Sequence, residues 1–141
     1  MSDGNVLETL QNIVRENKDK GVEEIFKFVE ENYGMVPFIH KVLAKRPDVL
    51  ITHALKGFAI YRNEESTLDL KVKELIAIST AAALHCEYCL ETHIERALKS
   101  GSTMDEILET IMISGNISET SVHAHALRKF YQIDNKSKKT D

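Results

Sequence analysis

Cysteine is scarce in this chain: its 141 residues contain two, Cys86 and Cys89, three positions apart. Two thiols fall far short of a disulfide-stapled secreted scaffold, and a chain of 141 residues can build a hydrophobic core without staples. Proline is as rare, with Pro37 and Pro47 alone, and tryptophan is absent. Long apolar runs are missing too. Charged residues make up 28% of the chain and interrupt every apolar segment, so nothing approaches the roughly 18 to 20 uninterrupted residues that span a bilayer. Neither charge sign dominates: 18 Lys and Arg stand against 22 Asp and Glu, a formal net charge of −4. The basic residues are dispersed except in Lys136-Ser137-Lys138-Lys139. That distribution argues against nucleic acid as a partner, and the terminal cluster reads as a solvated, frayed end. Met1-Ser2-Asp3-Gly4-Asn5 lacks the basic and apolar stretches of a signal peptide, so the expectation is a cytoplasmic protein whose thiols are reduced at rest.

What the chain does have is helical periodicity. Apolar residues recur three and four apart in Val6, Leu7, Leu10, Ile13, Val14, in Val22, Ile25, Phe26, Val29 and in Met104, Ile107, Leu108, Ile111, Met112. No segment alternates like a strand. The spacing predicts an all-α, single-domain chain over 1–141, with largely antiparallel helices near 5–18, 22–33, 37–45, 47–62, 68–84, 86–100, 104–114 and 117–131 and a polar tail over 134–141. Ser66-Thr67-Leu68-Asp69 offers an N-cap, Thr103-Met104-Asp105-Glu106 a capping box, and Gly101 a residue just past a helix end. Residues 72–84 are apolar on nearly every face and read as the central buried helix. The methionines Met104 and Met112 and the phenylalanines Phe26, Phe28, Phe38, Phe58 and Phe130 read as core.

The chemistry concentrates in His85-Cys86-Glu87-Tyr88-Cys89 and His93. On a helix Cys86, Cys89 and His93 share one face with Leu90, Ile94 and Ala97. Residues three apart on a helix have Cα atoms about 5–6 Å apart, within the range a disulfide tolerates. If the helix begins near Cys86, its unpaired N–H groups and positive dipole end favour thiolate over thiol. His93 is then placed to take or return a proton at Cys89. Glu74 stands in the apolar helix before the pair, where a lone carboxylate is costly. A helical hairpin would bring it to His93 to orient the imidazole; the alternative is a solvated pair with Lys71 or Lys73. Two other readings stay open for the same residues. The cysteines could be inert buried side chains, and His85, Cys86, Cys89 and His93 with His123 and His125 could be offered as a zinc site, although their spacing does not suit one. His123 and His125 point to different faces of a helix, one towards core and one towards water.

Glu74-Leu75-Ile76-Ala77-Ile78, then Cys86 to His93, then Ala97-Leu98-Lys99-Ser100-Gly101-Ser102-Thr103 with Glu106-Ile107, resembles the alkyl hydroperoxidase D and carboxymuconolactone decarboxylase superfamily, in its branch with paired cysteines. The likeness covers residues 66–115 well and, more loosely, Tyr33-Gly34-Met35-Val36-Pro37 with the helix that Pro47 opens. It implies a compact multi-helix alkyl hydroperoxidase D-like fold with the cysteine pair opening a helix. It also implies that Cys89 attacks a hydroperoxide, Cys86 resolves it as a disulfide, and Glu74 and His93 relay protons. A protein or small dithiol would restore the thiols in a homo-oligomer, trimeric or hexameric, without cofactor or metal. Hydroperoxidases of that family carry histidine between the cysteines where this chain has Tyr88; the Tyr88 hydroxyl could relay in its place or pack, and His85 is a further candidate relay group. The departure leaves a disulfide-exchange relay to a peroxiredoxin or lipoyl protein as an alternative. A second alternative is a decarboxylase-like small-molecule enzyme with His93 and Glu74 as acid and base.

Overall fold

The computed structural model describes residues 3–138, with side chains from Val6 onward. Among these residues every regular element is a helix: α1 Asp3–Glu16, α2 Lys18–Tyr33, α3 Phe38–Leu43, α4 Pro47–Tyr61, α5 Leu70–Ala83, α6 Glu87–Lys99 and α7 Met104–Ser137. The all-α expectation therefore holds. The chain divides into two compact units between Thr67 and Leu68.

In the first unit, α2 packs on α4 through Ile25, Val29, Leu50 and Ala54, flanked by Phe26, Phe28, Ile51 and Phe58. Burying such side chains supplies about 1.5–3 kcal/mol each. Phe28 and Phe58 meet edge to face with ring centroids 4.7 Å apart. A Cβ on Gly21 would lie 2.9 Å from Ile51 Cδ1, so a bare backbone there lets the two helices approach closely. The same glycine does not interrupt α2, which starts at Lys18, earlier than the predicted residue 22. Pro47 opens α4 as expected, whereas Pro37 caps α3 from just outside it.

His40 of α3 lies against His53 of α4, ring centroids 5.7 Å apart. Burial, and secondarily the charge of His53, holds its pKa below the ordinary 6.5. The unfolded chain takes up this proton near pH 6.5 and the folded unit resists it, so His40 lowers stability as pH falls from 6.5 through its depressed value. Thermal melts between pH 7.5 and 5.5 should show a smaller acid loss for His40→Phe than for the parent; equal losses would discount this histidine.

The second unit is built on α5, which packs against both α6 and α7. Ile78, Ala97 and Ile107 form its core with Leu75, Leu90 and Ile94 around them. Asp69 itself is the N-cap of α5, its carboxylate accepting from the Val72 N–H at 2.8 Å, so the cap falls three residues past Ser66. Thr103 and Glu106 form the expected capping box on α7: Thr103 Oγ1 accepts from the Glu106 N–H at 3.2 Å, and Glu106 Oε2 accepts from the Thr103 N–H at 2.9 Å. Gly101, at φ +88°, turns the chain out of α6, with the Ser102 N–H donating back to Ala97 O at 2.9 Å. Two cross-links tie α7 to α5: Lys71 Nζ to Glu106 Oε1 at 2.7 Å, and Ser114 Oγ donating to Ser79 O at 2.7 Å. The Lys71 bond, helped by the Thr103 amide, holds the Glu106 carboxyl below its ordinary 4.5.

Several expectations need correction here. α5 is buried along Glu74, Ile78 and Ala81, but Val72, Ile76 and Leu84 are exposed, so it is not buried on every face. The predicted break after 114 does not occur, and α7 runs unbroken to Ser137. Gly115 costs about 1 kcal/mol of helix propensity yet removes no amide, so the hydrogen-bond ladder continues. The polar end is likewise helical as far as it is described, with Lys138 Nζ on Asp134 Oδ2 at 2.7 Å; Lys139 lies outside the described residues. Phe26, Phe28 and Phe58 pack on core, whereas Phe38, Phe130, Met104 and Met112 are exposed. His123 and His125 are both exposed on α7.

Candidate active site

Leu90, Ile94 and Ala97 bury one stripe of α6 against α5. Helical spacing puts Cys86, Cys89, His93 and Arg96 on or beside that stripe. The turn that precedes it is unusual. α5 ends at Ala83 with Leu84 as its C-cap, and His85 follows at φ +55°, the left-handed region that costs a residue with a Cβ about 1 kcal/mol or more. The His85 N–H donates to Ala82 O at 3.2 Å and the Cys86 N–H to Ala81 O at 2.9 Å. These two bonds satisfy carbonyls at the end of α5 and hold the left-handed residue in place. The chain thus reverses sharply, and Cys86 becomes the N-cap of α6.

Cys86 and Cys89 are half-buried and joined as a disulfide, Cα atoms 5.2 Å apart. Cys86 Sγ also accepts the Cys89 N–H at 3.3 Å. Sulfur therefore stands where a helix N-terminus offers a donor and the positive end of its dipole.

On α5, which packs against α6, lies Glu74, with no exposed surface. Its two oxygens have separate partners. His93 Nδ1 is 2.7 Å from Oε2, and Arg96 Nη2 is 2.6 Å from Oε1. The His93 side chain is 20% exposed and that of Arg96 12%, so the network is nearly shut off from water on the carboxylate side. An ionised carboxylate only accepts, so His93 Nδ1–H donates to it, and in the neutral imidazole the lone pair lies on Nε2. The solvated alternative for Glu74 is not what forms with Lys71, which bonds Glu106 instead. Tyr88 is half-buried on the first turn of α6, its carbonyl accepting from Thr92 Oγ1 at 3.0 Å; His85 is exposed. Among the described residues no group of three or more His, Cys, Asp or Glu is placed to hold a metal ion.

Arg96 was not among the residues the sequence reading singled out. A signal for it exists: it lies three residues after His93 on the same face, and Glu74 and Arg96 are each eleven residues from the turn at His85. In an antiparallel hairpin such residues lie at the same level.

The second unit is thus an α-helical scaffold that carries a paired-cysteine disulfide at a helix start and a buried Glu, His, Arg network beside it. The chain belongs to the carboxymuconolactone decarboxylase family, whose model matches residues 50–130. This stretch contains all of the site residues named above. The uncharacterized protein 4 in cox locus of Paracoccus denitrificans is 30% identical over 70 residues, which is 50% of this chain and 63% of that protein. The chain therefore spans under two thirds of that curated relative. The crystal structure of the alkylhydroperoxidase AhpD core from Rhodospirillum rubrum superposes with a TM-score of 0.65 at 23% identity, covering 91% of this chain and 88% of that one. The likeness establishes an AhpD-like fold.

Proposed function

We propose that the chain is a thiol-dependent peroxidase in which Cys86 and Cys89 cycle between dithiol and disulfide. The observation that carries this reading is a 2.7 Å bond from buried Glu74 of α5 to His93 of α6, the helix that opens with the cysteine pair. In the first step the Cys89 thiolate, its proton taken up by His93, attacks the O–O bond of a hydroperoxide ROOH. The S–O bond forms, the O–O bond breaks, and the proton goes to the departing oxygen as ROH, which leaves Cys89 as a sulfenic acid. The Cys86 thiol then attacks that sulfur, releasing water and forming the disulfide. An external dithiol, protein or small molecule, reduces the disulfide by exchange and is itself oxidised. Glu74 fixes the imidazole so that Nε2 is available. Tyr88 and His85 are the residues from which a further relay group would come.

A second reading, disulfide exchange with a peroxiredoxin or lipoyl-type partner, has its own support: Cys86 is the N-cap and its sulfur receives an amide. In that case Cys86 attacks the partner's disulfide. Along α7, Leu108, Met112, Ile117 and Val122 are exposed apolar side chains, which support a homo-oligomer, and the thiol cycle suits a reducing, cytoplasmic setting.

Native mass spectrometry of the fully reduced protein, before and after one equivalent of peroxide, tests the reading. The expected product is 2 Da lighter per chain, the mass of two hydrogens, within an unchanged assembly. No mass change with peroxide but a mixed disulfide with an added disulfide partner would favour exchange. Catalysis that survives thiol alkylation would point instead to decarboxylase-type chemistry.

A further inference from the structure

We infer that Arg96 is a positioning residue that keeps His93 uncharged, and so able to act as a base, by neutralising Glu74. The inference rests on the proposed thiol chemistry only for its effect on rate; its effect on the imidazole can be read without any turnover.

The reasoning is a count of charge in a closed space. Glu74 is wholly buried, and both of its oxygens are engaged, one by a guanidinium at 2.6 Å and one by an imidazole nitrogen at 2.7 Å. With Arg96 in place the Glu74 carboxylate already meets a cation. A proton on His93 would then add a second cation at the same carboxylate, away from most of the water that could solvate it. Without Arg96 the balance reverses: the buried carboxylate loses its cation, and of the two groups in the network that can take up a proton, Glu74 itself and His93, the imidazole is the stronger base. An imidazolium bound to Glu74 has no lone pair left for the Cys89 proton. The guanidinium therefore decides whether the Glu, His pair is a base or an ion pair. Lys71, one turn before Glu74 on α5, does not take its place, being held by Glu106 of α7 at 2.7 Å. On α6 the neighbouring carboxylates Glu91 and Glu95 are exposed, outside the buried network.

Arginine suits this role because its charge persists at any physiological pH and its planar donors reach a carboxylate oxygen while the opposite oxygen stays open to the imidazole. A role limited to packing or folding would not require a charge at this position. The two can be told apart by keeping a polar side chain of similar reach and removing the charge.

The experiment uses imidazole nitrogen NMR on the full chain, labelled at histidine, at pH 7, with each histidine assigned by substitution. In the parent, His93 should show one protonated nitrogen, Nδ1, and one bare nitrogen, Nε2. In Arg96→Gln, which keeps a polar side chain but no charge beside Glu74, both nitrogens should be protonated, and peroxide-driven disulfide formation in the reduced protein should fall on the order of a hundredfold, the usual weight of a general base. Arg96→Lys should restore the bare Nε2 and most of the rate. If Arg96→Gln does not fold, Glu74→Gln/Arg96→Gln removes both charges together and should leave His93 neutral. An unchanged bare Nε2 in folded Arg96→Gln, or a charged His93 in the double variant, overturns the inference. Should the parent itself not react with peroxide, the peroxidase reading fails while the NMR result still decides the role of Arg96.

Discussion

Glu74→Ala is expected to lower the stability of the second unit by about 3–5 kcal/mol, the cost of breaking a buried ion pair from one side. The carboxylate is completely buried, ion-paired with Arg96 and hydrogen-bonded to His93. Truncation strips the guanidinium of its anion while α5 and α6 keep it mostly enclosed, and it opens a hole beside Ile78. Since small domains are stable by about 5–15 kcal/mol, the loss would be a large part of the total. The Lys71–Glu106 pair provides the contrast. Its side chains are 33% and 40% exposed, so Lys71→Ala should cost no more than about 1 kcal/mol. Urea unfolding followed by helical circular dichroism measures both. A Glu74→Ala loss as small as that of Lys71→Ala would mean that water enters the network and that its burial is not maintained in solution.

Replacing the cysteines one at a time should produce unequal defects. Cys89→Ser removes the attacking sulfur, and steady-state peroxide consumption with a dithiol donor should fall on the order of a thousandfold or more. Cys86→Ser leaves that sulfur in place beside His93 and should consume about one equivalent of peroxide rapidly, then stall as a sulfenic acid that dimedone can trap. The asymmetry follows from position: His93 is one helical turn beyond Cys89, whereas Cys86 caps the helix and faces its amides. If the burst belongs to Cys89→Ser instead, Cys86 is the nucleophile, and the N-cap outweighs the imidazole in activating sulfur. Retained turnover in both variants would remove the thiols from the reaction altogether.

Much of the second unit was legible in order along the chain. The cysteine spacing, His93 one turn on, the capping box at Thr103 and the turn glycine at Gly101 are local signals, because caps and i, i+4 faces depend on neighbours a few residues away. The continuation of α7 past Gly115 was not legible. Propensity disfavours glycine there by about 1 kcal/mol, and Asn116, Ile117 and Ser118 after it are middling formers, so local preference alone reads as a break that the helix overrides. Exposure was the other weak point. Phe130 and Met112 have the composition of core residues, but they sit on α7 where nothing within the second unit covers them.

By itself the sequence determined that the chain is helical and that two thiols and an imidazole share one face of one helix, because both follow from periodicity and short-range geometry. Only the tertiary structure decided which cation Glu74 would meet. Lys71, Lys73, His93 and Arg96 were all within plausible reach, and the register of α5 on α6 places His93 and Arg96 at the carboxylate while α7 draws Lys71 to Glu106. Register is set by how Leu75, Ile78, Leu90, Ile94 and Ala97 interlock. That packing is a property of helices brought together, which no stretch of the chain expresses alone.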